Sequence, residues 1–344
     1  NRASISTSCL FLIVQFGGLL VSFLVFSSAP PSTYQANTNT NTVSYSGAQL
    51  IFFLLLIFVI GPGMLYFIIK FYHGSTLFLL IEAYTIFVGS FYVFLIIISY
   101  VFPEAGIYPV MISTFILSAA LVVAKNKKPS LRNAIVIIGS IGIGIAIGTS
   151  FSLGETLIGL FLFAIYDYIA VFVTKHMVVF AKALSGRNLA FLIGSTDIAT
   201  TPYSSLSKAQ KKSYNKELPQ IRKINNPVMN KIIKSGNVPW VTQIQLGAGD
   251  LVLPLVVAVS AYSVYLSYYL SIVVIIGAVS GIIFITLFLR KYRNKLPMLP
   301  AIPPQFAFIC FALAFGLPFA SPSMLRFSVG LIILGILMIW VTMY

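Results

Sequence analysis

The sequence predicts an all-α polytopic membrane protein, and three observations carry that class. Of its 344 residues 58% are hydrophobic and 8% are charged, against roughly 25% charged in an ordinary soluble domain. Its mean hydropathy is +0.97, too apolar for a water-soluble globule. The apolar residues gather in continuous runs near the ~20 residues a helix needs to cross a ~30 Å hydrocarbon layer. Continuous runs, unlike the alternating ones of a membrane barrel, exclude β-strands as the spanning elements.

Taken in order, the runs predict spans at 6–27, 48–71, 76–102, 107–124, 133–149, 154–174, 238–263, 266–289 and 301–320, with 327–343 as a candidate tenth. The first has the flanks of a signal peptide, Arg2 before it and Ser27-Ser28-Ala29 after it. Its apolar stretch exceeds the usual ~7–15 residues, which marks it as a retained anchor helix. Residues 29–47 carry no charge and include Asn37-Thr38-Asn39-Thr40-Asn41-Thr42, the composition of a flexible hydrophilic loop.

Orientation follows from the basic residues, which are retained on the cytoplasmic side of short loops. With the N-terminus in the cytoplasm, all of the 22 Lys and Arg except Arg326 fall inside. The chain thus divides into 1–176 with six spans, a basic cytoplasmic loop at 177–237, and 238–344 with spans seven to nine and the candidate tenth. Within the loop, 208–234 carries eight Lys/Arg against one acid, Glu217, with Pro219 and Pro227 interrupting any helix. That segment reads as a solvated linker drawn to anionic headgroups, and 177–193 as a weakly amphipathic interfacial stretch. The net charge of +15 is therefore a topology signal, and no nucleic acid partner is expected. Cys9 and Cys310 lie in separate apolar runs and read as packing residues. His73 and His176 flank basic loops without a His-Glu-x-x-His pattern, which leaves no metal site.

Seven carboxylates remain: Glu82, Glu104, Glu155, Asp167, Asp197, Glu217 and Asp250. Asp197 and Glu217 fall in the cytoplasmic loop, Glu104 in an external turn, Glu155 near the outer end of span six. Glu82 lies close to the start of span three and is expected to turn toward the interface. Asp167 and Asp250 are different. Asp167 lies eight residues before Lys175 and Asp250 eleven residues after Pro239, about 12 and about 16 Å inward at ~1.5 Å per helical residue. Carboxyls at one depth on neighbouring antiparallel spans can share a proton, because like charges a few Å apart in a low dielectric cannot both ionise. An acid in hydrocarbon is a functional candidate by default.

The surrounding residues add to this. Gly247 and Gly249 precede Asp250 and allow a backbone to approach closely, whereas Gly144 and Gly148 in span five read as helix packing. The run Leu299-Pro300-Ala301-Ile302-Pro303-Pro304 prevents helix and predicts an irregular element at the cytoplasmic side of span nine.

Together, Tyr166-Asp167, Gly247-Ala248-Gly249-Asp250 and Pro300-Ala301-Ile302 resemble the three ordered motifs of the presenilin and signal peptide peptidase family of intramembrane aspartyl proteases. Ile302 stands where the family's proline motif has Leu. Short loops make the chain most like an archaeal presenilin homologue, which implies an archaeal cell membrane, and the orientation derived above is presenilin-like. The resemblance implies catalytic Asp167 and Asp250, with Tyr166, Gly247, Ala248, Gly249, Leu299, Pro300, Ala301 and Ile302 as active-site and substrate-binding motif residues. It implies hydrolysis of peptide bonds within transmembrane helices or signal peptides by an activated water, without cofactor or metal. Its partners would be transmembrane-helix substrates and the bilayer, with no obligate partner subunit. Water would arrive past Thr242, Gln243 and Gln245. Prepilin peptidases share Gly-x-Gly-Asp but lack the proline motif. A rival class remains open on the residues alone: a proton- or cation-coupled transporter or channel using the same two aspartates.

Overall fold

A computed structural model describes residues 2–28, 76–127, 131–174, 192–205, 235–265, 268–292, 300–320 and 324–343, with isolated positions between 207 and 233. Nine helices among these residues are long and apolar enough to cross a membrane. They are α1 (Arg2–Ser28), α2 (Thr76–Val101), α3 (Ile107–Lys127), α4 (Arg132–Ser150), α5 (Leu153–Tyr168, whose span continues to Val173 through a π-helical turn), α6 (Ala248–Tyr265), α7 (Tyr268–Tyr292), α8 (Ile302–Ala320) and α9 (Leu325–Met343). The candidate tenth run is therefore helical, as α9. The span expected at 48–71, the loop at 29–47 and residues 177–191 lie outside the described residues.

The chain forms two compact units. The smaller (1–7 and 194–245) contains most of a two-stranded sheet of β1 (Leu192–Pro202) and β2 (Asn237–Gly247). Here the sequence reading needs correction, because span seven was expected to be helical from 238. Its first ten residues are strand, and the reason is visible in the chain: Trp240, Thr242, Ile244 and Leu246 alternate with Val241, Gln243 and Gln245, a period of two that a hydropathy window averages away. Thr242, Gln243 and Gln245 accordingly lie on a strand rather than along a spanning helix.

The larger unit (8–193 and 246–344) holds the helical packing. In lipid, helices gain little from burying apolar surface against one another, so close approach and interhelical hydrogen bonds hold them. Small residues do this throughout. A Cβ added at Gly89 would stand 2.2 Å from the Gly139 carbonyl oxygen, and one at Gly142 would stand 1.7 Å from that of Gly89, so α2 and α4 touch backbone to backbone. Gly144 and Gly148 bring α4 against Leu255 and Val259 of α6, the packing role expected of them. Gly277 and Gly281 do the same for α7 on α8. Ser260 donates to the Phe151 carbonyl (2.8 Å) and Ser271 to that of Ala258 (2.7 Å), pinning α6 to the α4–α5 junction and to α7. Helix α8 contacts α5, α6, α7 and α9, and its Phe306, Ile309, Cys310 and Leu313 are almost wholly buried. Cys9, by contrast, is exposed on α1 instead of packed.

Two local features fix α5, the helix that carries Asp167. Its start is a capping box, with the Ser152 N–H donating to Glu155 (2.8 Å) and the Glu155 N–H to the Ser152 hydroxyl (3.5 Å). Such a box satisfies two otherwise orphaned donors. Its end widens into a π-helical turn over Ile169–Val173, two residues beyond Asp167, a distortion often found at functional sites. Glu82 departs from expectation. It is 1% exposed and forms an ion pair with Lys125 of α3, which is also buried; a buried carboxylate left without a counter-charge would be strongly destabilising.

Candidate active site

Asp250 is the third residue of α6, so its depth is set by where the strand hands over to the helix, not by eleven residues of helix. This handover explains the glycine pattern. The Gly247 N–H donates to Asp250 Oδ2 (3.1 Å), the reach of a third-position acid back to the residue preceding the helix. A Cβ at Gly247 would stand 3.2 Å from that same oxygen, whereas at Gly249 it would meet nothing within 4 Å among the described residues. The two glycines thus differ: Gly247 makes room for the acid, and exposed Gly249 leaves open space beside it. Ala248 between them is half-buried.

Asp167 is 9% exposed, in the last turn of α5. Its Oδ2 accepts from the Ile302 N–H (3.2 Å), and the Ala301 N–H also bonds to it. The sequence explains why these two donors are available. Helix α8 begins at Ile302, and the next two residues, Pro303 and Pro304, have no N–H, which suits a helical first turn. The following donor, Gln305 N–H, returns to the Ala301 carbonyl (3.4 Å). The start of α8 therefore presents its free donors to one carboxylate. Pro300, Ala301 and Ile302 are all buried; Leu299 lies outside the described residues.

The carboxyls of Asp167 and Asp250 are close enough to interact electrostatically, on packed helices α5 and α6. Each sits at the N-terminal end of a helix, Asp250 within α6 and Asp167 against α8, where the helix dipole favours negative charge. Tyr166 is half-buried, and its phenol is within electrostatic range of Asp167. The structure thus brings together Tyr166, Asp167, Gly247, Asp250, Ala301 and Ile302. Sequence reading missed Gln15, whose side chain bonds to the Leu251 carbonyl beside Asp250; a single amide within the apolar run 6–27 was the available signal.

Fold and site define a polytopic membrane protein that holds a carboxyl pair at two helix starts inside its spanning region. The family model for signal-peptide peptidase, presenilin aspartyl protease matches residues 8–316. The chain belongs to that family, and as such is an intramembrane aspartic endopeptidase, a hydrolase and an integral membrane protein. Among solved structures, it is similar to a presenilin family intramembrane aspartate protease in two crystal forms. In one, at 15% identity, the match covers 92% of this chain and 97% of that one with a TM-score of 0.53. In the other, also at 15%, it covers 91% and 97% with a TM-score of 0.54. At that identity the likeness speaks to the fold. No curated protein matches the chain.

Proposed function

We propose that the chain cleaves peptide bonds within transmembrane segments of membrane proteins or within signal peptides, with Asp167 and Asp250 activating the attacking water. The observation that carries this reading is the pairing of the two carboxyls, each held by backbone N–H groups at a helix start. Those donors and dipoles favour one negative charge on the pair, and mutual repulsion disfavours a second. The ionised member takes a proton from water as it attacks the scissile carbonyl. The protonated member hydrogen-bonds to the carbonyl oxygen and then protonates it. The pair titrates as a unit, so neither role belongs permanently to one residue.

A helical substrate has its carbonyls engaged and must unwind before attack, which makes strand addition the economical way to hold it. Of the two segments that sequence reading put forward, Gly247–Gly249 suits this better. The Ala301 N–H is already engaged by Asp167, while Gly249 borders open space. We further place the N-terminus and the loop 177–237 in the cytoplasm on the distribution of Lys and Arg. We assign the protein to an archaeal cell membrane on the short loops, and expect it to act without partner subunits.

The test is cleavage of a single-span peptide by the purified protein in detergent, comparing wild type with Asp167→Ala and Asp250→Ala, with and without an aspartyl-protease transition-state analogue. Loss of products in both variants and with the analogue is the expected result. Cleavage persisting in either folded variant would reject the pair.

A further inference from the structure

We infer that Gln15, on α1, is a positioning residue for Asp250, an inference that rests on the catalytic reading of Asp250 given above. The need for such a residue arises in α6 itself. Pro254 lies four residues after Asp250 within the helix. It has no N–H to return to the Asp250 carbonyl, and its ring crowds that carbonyl. The turn that carries the acid therefore lacks one rung of its own ladder and needs support from outside the helix.

Gln15 supplies that support one residue along. Its Nε2 donates to the Leu251 carbonyl at 2.9 Å, across 236 residues of sequence, and the side chain is wholly buried. The bond sits in a fixed register. A Cβ at Gly18 would lie 2.4 Å from Leu255 Cδ1, and the Phe26 ring meets Tyr262 edge-on at 5.0 Å. Matching 15 to 251, 18 to 255 and 26 to 262 makes α1 and α6 parallel, with Gly18 allowing α1 close enough for the amide to reach. Among the described residues, Gln15 Oε1 has no hydrogen-bond partner. A buried amide half satisfied is disfavoured relative to a methionine of similar volume, so packing alone does not account for glutamine here. Anchoring the carbonyl beside Asp250 does. Because enzymatic rate depends on sub-ångström placement of the reacting groups, a loosened first turn moves the carboxyl out of line with its partner without unfolding the helix.

The experiment compares Gln15→Met, which keeps volume and loses the donor, and Gln15→Asn, which keeps an amide and loses reach, with Phe26→Leu at the far end of the same seam. Asp250→Ala is run alongside, and all are scored for kcat, KM, affinity for a transition-state analogue, and melting temperature in detergent. Both Gln15 variants should lose about tenfold or more in kcat and in analogue affinity with KM within about twofold, the pattern of an interaction expressed in the transition state. Phe26→Leu should lower melting temperature and leave kcat in place. Full kcat in Gln15→Met, or in Gln15→Asn should the first fail to fold, would overturn the inference. So would a Phe26→Leu protein that loses kcat in proportion to its melting temperature, since α1 would then act by packing. Persistent cleavage by Asp250→Ala would remove the underlying reading, a result the Gln15 variants cannot mimic.

Discussion

Two glycines of one motif, given the same extra methyl group, should fail in different ways. At Gly247 the new Cβ would stand 3.2 Å from Asp250 Oδ2, tight enough that the carboxylate must shift by a few tenths of an ångström. The hydrogen bond it would strain, from Gly247 N–H to that oxygen, is already 3.1 Å long, near the upper end of the normal ~2.7–3.2 Å range. Gly247→Ala therefore breaks a bond to a charged acceptor, worth about 1.5–3 kcal/mol. If that loss falls on the transition state, kcat drops by roughly 10- to 150-fold at ~1.36 kcal/mol per decade. Gly249→Ala adds the same atoms where nothing among the described residues lies within 4 Å. It should leave kcat within about threefold and raise KM, because a methyl group there occupies space through which we route the substrate. The assay is steady-state cleavage of a single-span peptide, with melting temperature as the control for folding. Gly247→Ala at full kcat, or Gly249→Ala with a kcat defect as deep as that of Gly247→Ala, would refute this account of the motif.

Other expectations concern stability and are read from thermal melting in detergent. Gly142→Ala puts a Cβ 1.7 Å from the Gly89 carbonyl oxygen; it should destabilise by about 1–3 kcal/mol or more as α2 and α4 are forced apart. Removing one member of the buried Glu82 and Lys125 pair, as in Glu82→Gln, should destabilise by about 3–5 kcal/mol. The double variant Glu82→Leu with Lys125→Met should recover most of that. Ser152→Ala removes one half of the α5 capping box and should lower stability by about 0.5–2 kcal/mol while kcat holds.

Span positions were legible because lipid imposes a simple rule on every crossing segment: enough consecutive apolar residues to satisfy the backbone internally. Asp167 and Asp250 were legible because acids are rare in such segments. What hydropathy does not carry is backbone geometry. It averaged the alternation of 240–246 into a helix, and so derived the depth of Asp250 from the wrong rise per residue, although the two acids it matched do lie within electrostatic range of each other. Ser152-Leu153-Gly154-Glu155 is a capping signature that goes unnoticed when a chain is read only for spans. Glu82 was misjudged because its partner, Lys125, lies 43 residues away and is brought beside it only by the antiparallel packing of α2 and α3. Gln15 belongs to the same category: a lone amide in an apolar run is visible locally, but its partner 236 residues away is not.

Those long separations bear on the order in which the protein is made. A ribosome delivers α1 to the membrane long before Leu251 exists, and Asp167 enters 135 residues ahead of the Ile302 N–H that holds it. Until α8 has been inserted, Asp167 has neither of its backbone donors. Until α6 arrives, the Gln15 amide has no carbonyl to grip. The nascent chain thus crosses most of its biosynthesis with Asp167 lacking its donors and, until α6 is made, its partner acid, amid other newly inserted helices that on the proposed reading are themselves candidate substrates. On the proposed reading, competence waits for α8 to bring those donors to Asp167, so a hydrolase that works inside the bilayer stays silent through its own birth.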